Sequence, residues 1–417
     1  MSTSVEGGTD LVAALGRRGL VKQTTGAAAL GRLLGEREVT FYLGIDPTGT
    51  SLHAGHLVGL LAMAHLQRAG HRPVLLIGGG TARVGDPSDK DDMRPLLPVE
   101  TVARNAALMQ RQVGRFIDLE RTVVVDNAAW LADLGYLDFL RDIGRHFSVN
   151  RMLSFEAYRR RLQTGLSFLE FNYLLLQAYD YLVLHRQHGC LLQIGGDDQW
   201  ANILAGVDLI RRVEQVEAHA LTWPLVTTAD GRKMGKTAAG ALFLDPARVS
   251  PYEFYQYWIN VPDADVGKLL ALLTLLPDGE VAELSRLRDR AIMAAKERLA
   301  LELTGMVHGA AEAERARATS RALFGAGGAG RGARDSMPTA ELAAAELAGG
   351  IPLVDLLARS SLCASKSDAR RLIQQGGARV ADRPRTSVEE IIALGDVRDG
   401  ELVLRAGKKR YFRFLVR

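Results

Sequence analysis

Two histidines stand three residues apart in Leu52-His53-Ala54-Gly55-His56, a few residues after Tyr42-Leu43-Gly44-Ile45-Asp46-Pro47-Thr48. Paired imidazoles can hydrogen-bond or set positive charge beside phosphoryl oxygens. A helix start at this point adds N–H groups and the positive end of a dipole, which suits phosphate. Gly55 lets a flat ring approach the backbone closely. A His pair at this spacing also suits a metal, but no third ligand is apparent nearby; a capped, buried helix start is the plainer alternative. A second cluster, Gly231-Arg232-Lys233-Met234-Gly235-Lys236-Thr237, brackets a glycine with two lysines and follows with a hydroxyl. Such a loop can close over a triphosphate and offset charge as pyrophosphate leaves. It is not a Walker A loop, because the upstream glycine at the required spacing is missing. Taken alone, it reads more readily as a solvated basic turn.

Three further clusters are richer in carboxylates and amides. The stretch Phe168–Leu184 (FLEFNYLLLQAYDYLVL) is long and nearly all apolar. Read as a buried helix, it places Tyr173, Gln177 and Asp180 on one face, at i, i+4 and i+7. A buried carboxylate and amide need partners, which a polar ligand would supply; a solvent-facing polar stripe is the alternative. Gln193-Ile194-Gly195-Gly196-Asp197-Asp198-Gln199-Trp200 ends an apolar run in two glycines, two carboxylates and an amide. The glycines admit a flat base and a carboxylate can accept from a ribose hydroxyl. A metal reading of the Asp pair is secondary, since magnesium would more plausibly arrive with ATP. Finally, Gly85-Asp86-Pro87-Ser88 precedes Lys90 and Arg94. Asp86 suits an ammonium group; the two cations suit phosphates or plain solvent.

The elements that must position these residues alternate. Val39–Ile45, Pro73–Ile77, Thr122–Val125 and Cys190–Ile194 read as buried strands with helical patterns between them, and Leu221–Thr227 as a strand interrupted by Pro224. The fold class is therefore α/β with a doubly wound parallel sheet, in which ligands lie beyond the carboxyl ends of the strands. The polar clusters sit at those ends. Gly78-Gly79-Gly80 invites a dinucleotide reading, but the fingerprint fails where Arg83 replaces the third glycine. From Pro251 to Leu323 the pattern is helical, Gly325–Pro338 is a Gly-rich linker, and the Ala-rich stretch Thr339–Ala348 reads as helix. The expected boundaries are a Rossmann-like catalytic domain over 1–230, the signature loop with a helical domain over 231–324, a linker over 325–350 and a small α+β domain over 351–417.

Charge supports an appendage of its own. Ile351–Arg417 holds 14 Lys+Arg against 8 Asp+Glu, whereas the rest of the chain has 38 against 40. A phosphate-seeking domain has this character, although a basic solvated face accounts for it equally well. Two cysteines, Cys190 and Cys363, are too few for a disulfide framework and fit a reducing cytoplasm. The N-terminus has no sustained apolar core of a signal peptide, and no run of about 18 apolar residues predicts a membrane span.

His53-Ala54-Gly55-His56 followed by Lys233-Met234-Gly235-Lys236-Thr237 resembles the paired signatures of the class I aminoacyl-tRNA synthetases. With PYEFYQYWIN (Pro251–Asn260) and the final domain, nearly the whole chain is similar to the bacterial tyrosyl-tRNA synthetase family. The resemblance implies ATP-dependent activation of L-tyrosine and its transfer to tRNA(Tyr), with Mg2+ accompanying ATP and no tightly bound cofactor. It implies that Tyr42 and Asp180 hold the substrate phenol, and that Asp86, Tyr173 and Gln177 bind its α-amino group, with Gln199 near the reacting carboxyl. Asp198 would take the ribose, and Gly44, Gly55 and Gly196 would line the ATP site. Thr48 and His53 would lie by the γ-phosphate and His56 on the nucleotide side, with Lys90, Arg94, Lys233, Lys236 and Thr237 around pyrophosphate. Leu353–Arg385 resembles an RNA-binding fold shared with a small-subunit ribosomal protein, implying RNA contacts from Arg359, Lys366, Arg370 and Arg371. The helical segment would recognise the anticodon region. A cytoplasmic homodimer is also implied, without a membrane or DNA partner. Two departures stand out: KMGKT where KFGKT or KFGKS is common, and Asp197 where serine is frequent. Three other readings remain open at this stage: a tryptophanyl relative, a small-molecule nucleotidylyltransferase and a non-catalytic RNA-binding paralogue.

Overall fold

The computed structural model describes residues 10–88, 97–227, 234–237, 240–324, 337–360, 362–381, 383–407 and 410–417. The chain divides into two compact units, one made of Met1–Met234 with Pro262–Ala295 and the other of Gly235–Val261 with Lys296–Arg417. The expected helical domain over 231–324 is thus shared between the units. The reason lies in its apolar faces: Val266–Leu273 buries five side chains and packs against the helix Leu57–Arg68 of the first unit, while Pro251–Ile259 packs against Ala310–Phe324 in the second.

The first unit is built on a six-stranded sheet. Its strands are β1 (Gln23–Thr24), β2 (Thr40–Ile45), β3 (Arg72–Ile77), β4 (Val123–Asp126), β5 (Cys190–Gly196) and β6 (His219–Trp223), in the spatial order β1-β6-β5-β2-β3-β4. All neighbours are parallel except β1, which pairs antiparallel with β6 at one edge. The interior strands are runs of buried aliphatic and aromatic residues, as a sheet covered on both faces requires. β1 was not anticipated: two residues carry no periodicity to read. β6 ends at Trp223 rather than running on to Thr227, because Pro224 has no N–H to continue the ladder. From β2 the chain builds outward through β3 to β4, then returns to lay β5 and β6 on the other side of β2. The topological switch point therefore falls between the carboxyl ends of β2 and β5, where α/β sheets bind their ligands.

Two helices cover this crevice. Phe168–His188 begins at a capping box in which Ser167 Oγ accepts from the Glu170 N–H, and it stops at Gly189 in the left-handed conformation (φ 62°). Its start is tied further by a buried ion pair, Arg161 Nη2 to Glu170 Oε1 at 2.5 Å, with both side chains no more than 5% exposed. Burial raises the Glu170 carboxyl, but donors from Ser167 and Arg161 outweigh it and hold the group below its ordinary range. Trp200–Glu214 packs alongside. A Cβ on its Gly206 would lie 2.9 Å from Tyr181 Cδ1, so glycine sets how closely the two helices approach.

In the second unit a separate core fills the C-terminal module. Its five-stranded sheet runs Arg383–Arg385, Ala378–Val380, Glu401–Ala406, Arg410–Val416, Thr339–Leu342, with helices Leu353–Arg359 and Lys366–Gln374 beside it. The strand Thr339–Leu342 pairs parallel with Arg410–Val416 and buries Leu342. The stretch Thr339–Ala348 is therefore strand then short helix (Ala344–Ala348), and the module begins before Ile351. Alanine richness favours helix locally, but an edge strand's backbone hydrogen bonds decide otherwise. Among the described residues, no helix is long and apolar enough to cross a membrane.

Candidate active site

Within β2, Tyr42 is fully buried and its ring meets Tyr181 edge-on, with centroids 5.2 Å apart. Its hydroxyl has no hydrogen-bond partner among the described residues. Burial, then the charge of Asp180, pushes this phenol well above its ordinary range. Asp180 is 1% exposed, which excludes a solvent-facing stripe on the Phe168–His188 helix. Its carboxylate accepts from Asn127 Nδ2 at 2.9 Å and Trp130 Nε1 at 2.8 Å. Burial nonetheless dominates those two donors and raises the carboxyl to about 8.

The donors belong to a chain of contacts. Asn127 Nδ2 also reaches Thr81 Oγ1 (3.0 Å), Thr81 Oγ1 donates to Asp46 Oδ1 (2.8 Å), and Tyr173 Oη donates to Asp46 Oδ2 (2.9 Å). The triple glycine makes room for it. A Cβ on Gly78 would fall 1.9 Å from Asp46 Oδ1, and one on Gly79 would fall 2.3 Å from Asp126 Oδ1. Gly79 and Gly80 N–H groups donate to Asp126 and Asn127. The failed dinucleotide motif is thus a cradle for carboxylates and an amide arriving from neighbouring strand ends.

A second network joins the expected amino-group residues. Asp86 is buried; its Oδ1 accepts from the Ser88 N–H (2.9 Å) and its Oδ2 from Gln199 Nε2 (2.7 Å). Gln199 Nε2 also reaches Asp198 Oδ2 (3.0 Å). Asn202 Nδ2 bridges Gln199 Oε1 (3.2 Å) and Gln177 Oε1 (3.1 Å). Asp86, Gln177, Gln199 and Asp198 therefore form one cluster. Asp197 does not join it. It accepts from Gln23 Nε2 (2.6 Å) and Thr222 Oγ1 (3.1 Å), tying β1 to β6. Among the described residues, no group of three or more metal-ligating side chains occurs.

The His pair caps its own helix. The Gly55 N–H donates to His53 Nδ1 (3.1 Å), the His53 N–H donates to His56 Nδ1 (3.2 Å), and the rings lie 4.1 Å apart. Gly55 is required here, since a Cβ would stand 2.8 Å from His53 Cε1. The capped-start reading and a phosphate-facing role are compatible, because both rings stay half-buried at the helix entrance. Gly44 and Thr48 are exposed at the same strand end, and Gly196 borders Asp198.

Lys90, Arg94 and Lys233 lie outside the described residues. Lys236–Thr237 pair with Gly240–Ala241 as a short antiparallel ribbon, and their side chains also lie outside the described part. In the C-terminal module Arg359, Lys366, Arg370 and Arg371 are all exposed. Three of them face acidic neighbours: Arg359–Glu346, Lys366–Asp355 and Arg371–Asp368. Sequence reasoning missed Asn127, Trp130, Thr81 and Asn202 as functional partners. The signal for Asn127 was its position just past the end of β4; Trp130 and Asn202 carried none.

The sequence and the architecture match one known family. The class I tRNA synthetase family (W and Y) matches residues 34–325, and the C-terminal domain of tyrosine–tRNA ligases of the SYY type matches 331–414. The chain belongs to the tyrosine–tRNA ligase family. It is 50% identical over 401 residues to the tyrosine–tRNA ligase of Acetivibrio thermocellus (96% of this chain, 97% of that one). It is 48% identical over 413 residues to that of Clostridium tetani (98% and 100%). The crystal structure of a C-terminally truncated mitochondrial tyrosyl-tRNA synthetase from Aspergillus nidulans superposes with a TM-score of 0.68 at 29% identity, over 76% of this chain and 94% of that one. Membership in a tyrosine–tRNA ligase family turns the reading away from a tryptophanyl relative and from a small-molecule nucleotidylyltransferase.

Proposed function

We propose that this tyrosine–tRNA ligase holds the phenol of its amino acid between Tyr42 and Asp180 and the α-ammonium group among Asp86, Tyr173 and Gln177. The observation that carries the assignment is the Tyr42 hydroxyl, buried and without a partner beside a buried carboxylate. Leaving such groups unsatisfied is costly, and a phenol oxygen relieves it. Phenylalanine cannot, a selectivity rule already exemplified by tyrosyl-tRNA synthetases. Asn127 and Trp130 then keep the Asp180 carboxylate oriented.

In the first step a tyrosine carboxylate oxygen attacks the α-phosphorus of ATP and pyrophosphate leaves. Gln199 lies beside Asp86 and Asp198, which suits it to hold the reacting carboxylate between ammonium and ribose sites. Asp198 takes the ribose, and Gly44, Gly55 and Gly196 allow the base and sugar close to the backbone. Thr48, His53 and His56 flank the phosphates at a helix entrance, where N–H groups favour anions. Lys90, Arg94, Lys233, Lys236 and Thr237 offset the charge of the leaving group. In the second step a terminal tRNA hydroxyl attacks the adenylate carbonyl and AMP leaves. Positioning and electrostatics supply the catalysis, without a covalent enzyme intermediate. Mg2+ travels with ATP, in keeping with a donor set in which Asp197 is already committed to Gln23 and Thr222.

The C-terminal module contributes phosphate contacts through Arg359, Lys366, Arg370 and Arg371, positioning tRNA(Tyr) rather than reading its sequence. A cytoplasmic homodimer is part of the same reading. Large apolar side chains exposed along 136–169, among them Leu137, Val149 and Phe168, support it. The deciding experiment is ATP–pyrophosphate exchange without tRNA, with tyrosine, tryptophan and phenylalanine tested separately. Exchange with tyrosine alone is expected. Exchange with tryptophan overturns the pocket assignment, and folded protein inert with all three supports a non-catalytic paralogue.

A further inference from the structure

Gly235 is the glycine of the Lys233-Met234-Gly235-Lys236-Thr237 signature. Both of its backbone groups are held. Its N–H donates to Tyr257 Oη at 3.0 Å, and its carbonyl accepts from the Leu242 N–H at 2.6 Å. It is buried and sits at φ 78°, a left-handed conformation that glycine adopts without strain. The pairing that follows is slight: Lys236–Thr237 with Gly240–Ala241, two residues a side. A ribbon that short has little stability of its own and depends on what it is tied to. Tyr257 ties it to a firm support. The helix Pro251–Ile259 starts at a capping box between Ser250 and Glu253, has proline in its first turn, and buries Tyr252, Phe254, Tyr255 and Trp258. Tyr257 itself is half-buried, its ring edge-on to Trp258 with centroids 5.0 Å apart. Gly235, Tyr257 and the ribbon all belong to the second compact unit, so this anchor is internal to it.

We infer that Tyr257 is a positioning residue for amino-acid activation: its hydroxyl, carried on a capped and buried helix, fixes the Gly235 peptide and with it the point from which Lys236 is presented to the leaving pyrophosphate. The inference rests on the proposed role of Lys236 at pyrophosphate and names what holds it there. A lysine on an untethered backbone spreads its charge over many positions. Electrostatic stabilisation of a leaving group depends on charge that is set in place beforehand. Fixing the adjoining peptide removes part of that freedom before ATP reacts. The benefit falls on the step in which pyrophosphate leaves and not on tyrosine binding, so it belongs to kcat rather than to the KM for tyrosine.

The test is a double-mutant cycle in the full-length protein: wild type, Tyr257→Phe, Lys236→Ala and the two together, each assayed by ATP–pyrophosphate exchange with tyrosine. Rates are referred to active sites counted by stoichiometric adenylate formation, so that a folding defect cannot mimic the effect. Tyr257→Phe removes one oxygen and keeps the ring against Trp258. It should lower kcat about threefold to tenfold, the worth of one neutral hydrogen bond, with the KM for tyrosine unchanged. On the Lys236→Ala background the same substitution should lower kcat by less than about twofold, because the charge it positions is gone. A Tyr257→Phe kcat equal to or above that of wild type, or an equal fractional loss on both backgrounds, overturns the inference and leaves the hydroxyl a structural contact. A Lys236→Ala enzyme as active as wild type sinks the pyrophosphate reading of the loop itself, a result separable from any effect at position 257.

Discussion

Asp180 shows how one side chain's surroundings set its chemistry. Burial raises its carboxyl to about 8 although Asn127 and Trp130 both donate to it. Between the ordinary carboxylate range and pH 8 the folded protein then holds a proton that the unfolded chain has lost. Stability accordingly falls as pH rises through that window. Asp180→Ala lacks this slope, so its melting temperature should gain on that of wild type from pH 5 to pH 8. The same variant should lose tyrosine activation by at least about tenfold, because the phenol loses a buried hydrogen-bonding partner. Its circular dichroism should be unchanged. A fully active Asp180→Ala enzyme would refute the phenol assignment, and a melting difference flat with pH would refute the raised carboxyl.

At the scale of elements, the pocket depends on how two segments are held. The Phe168–His188 helix is fixed at its start by Ser167, Glu170 and the buried Arg161. Glu170→Ala removes one partner of the buried Arg161–Glu170 ion pair and should cost about 3–5 kcal/mol, as broken buried ion pairs do. Ser167→Ala removes only a cap and should cost about 1 kcal/mol. Thermal unfolding of the two variants separates these outcomes; equal losses would mean that the ion pair adds nothing beyond capping. The Gly78–Gly80 turn after β3 is the second segment. Gly78→Ala puts a methyl group on Asp46, so the Asp46–Tyr173–Thr81 contacts must break. Exchange with tyrosine should drop at least about tenfold through a higher KM for the amino acid, while unchanged kinetics would show that the turn gives way without cost.

At the scale of the whole molecule, the C-terminal module carries its own core and sheet. Removing 337–417, which takes the strand Thr339–Leu342 with its sheet, should spare ATP–pyrophosphate exchange and weaken tRNA charging. The deficit should be largest at low salt and shrink as salt rises, because the full-length protein makes more phosphate contacts and so has the steeper salt dependence. Charging by the truncated protein that matches full length at low salt would end the RNA role of the module. A cut at Ile351 would instead leave Thr339–Leu342 without Arg410–Val416 to pair with, exposing an unsatisfied strand.

The sequence by itself determined the chemistry's residue types, the alternation of strands and helices, and the family. These are local properties: periodicity, caps, glycines and two motifs in order. His53 with His56, and the face shared by Tyr173, Gln177 and Asp180, were legible because their partners lie within a helical turn or two. Only the tertiary structure decided which groups meet across strands. Asn127 and Trp130 reach Asp180 from about fifty positions away, and Asp46 reaches Tyr173 from 127. Those meetings follow from the strand order, which sets β5 beside β2 and β4 two strands away, and no spacing along the chain encodes that order. The same cause explains the triple glycine, which resembles a nucleotide loop in sequence and serves as a carboxylate cradle in space. It also explains Asp197, which ties β1 to β6 while its neighbour Asp198 remains with Gln199 in the crevice.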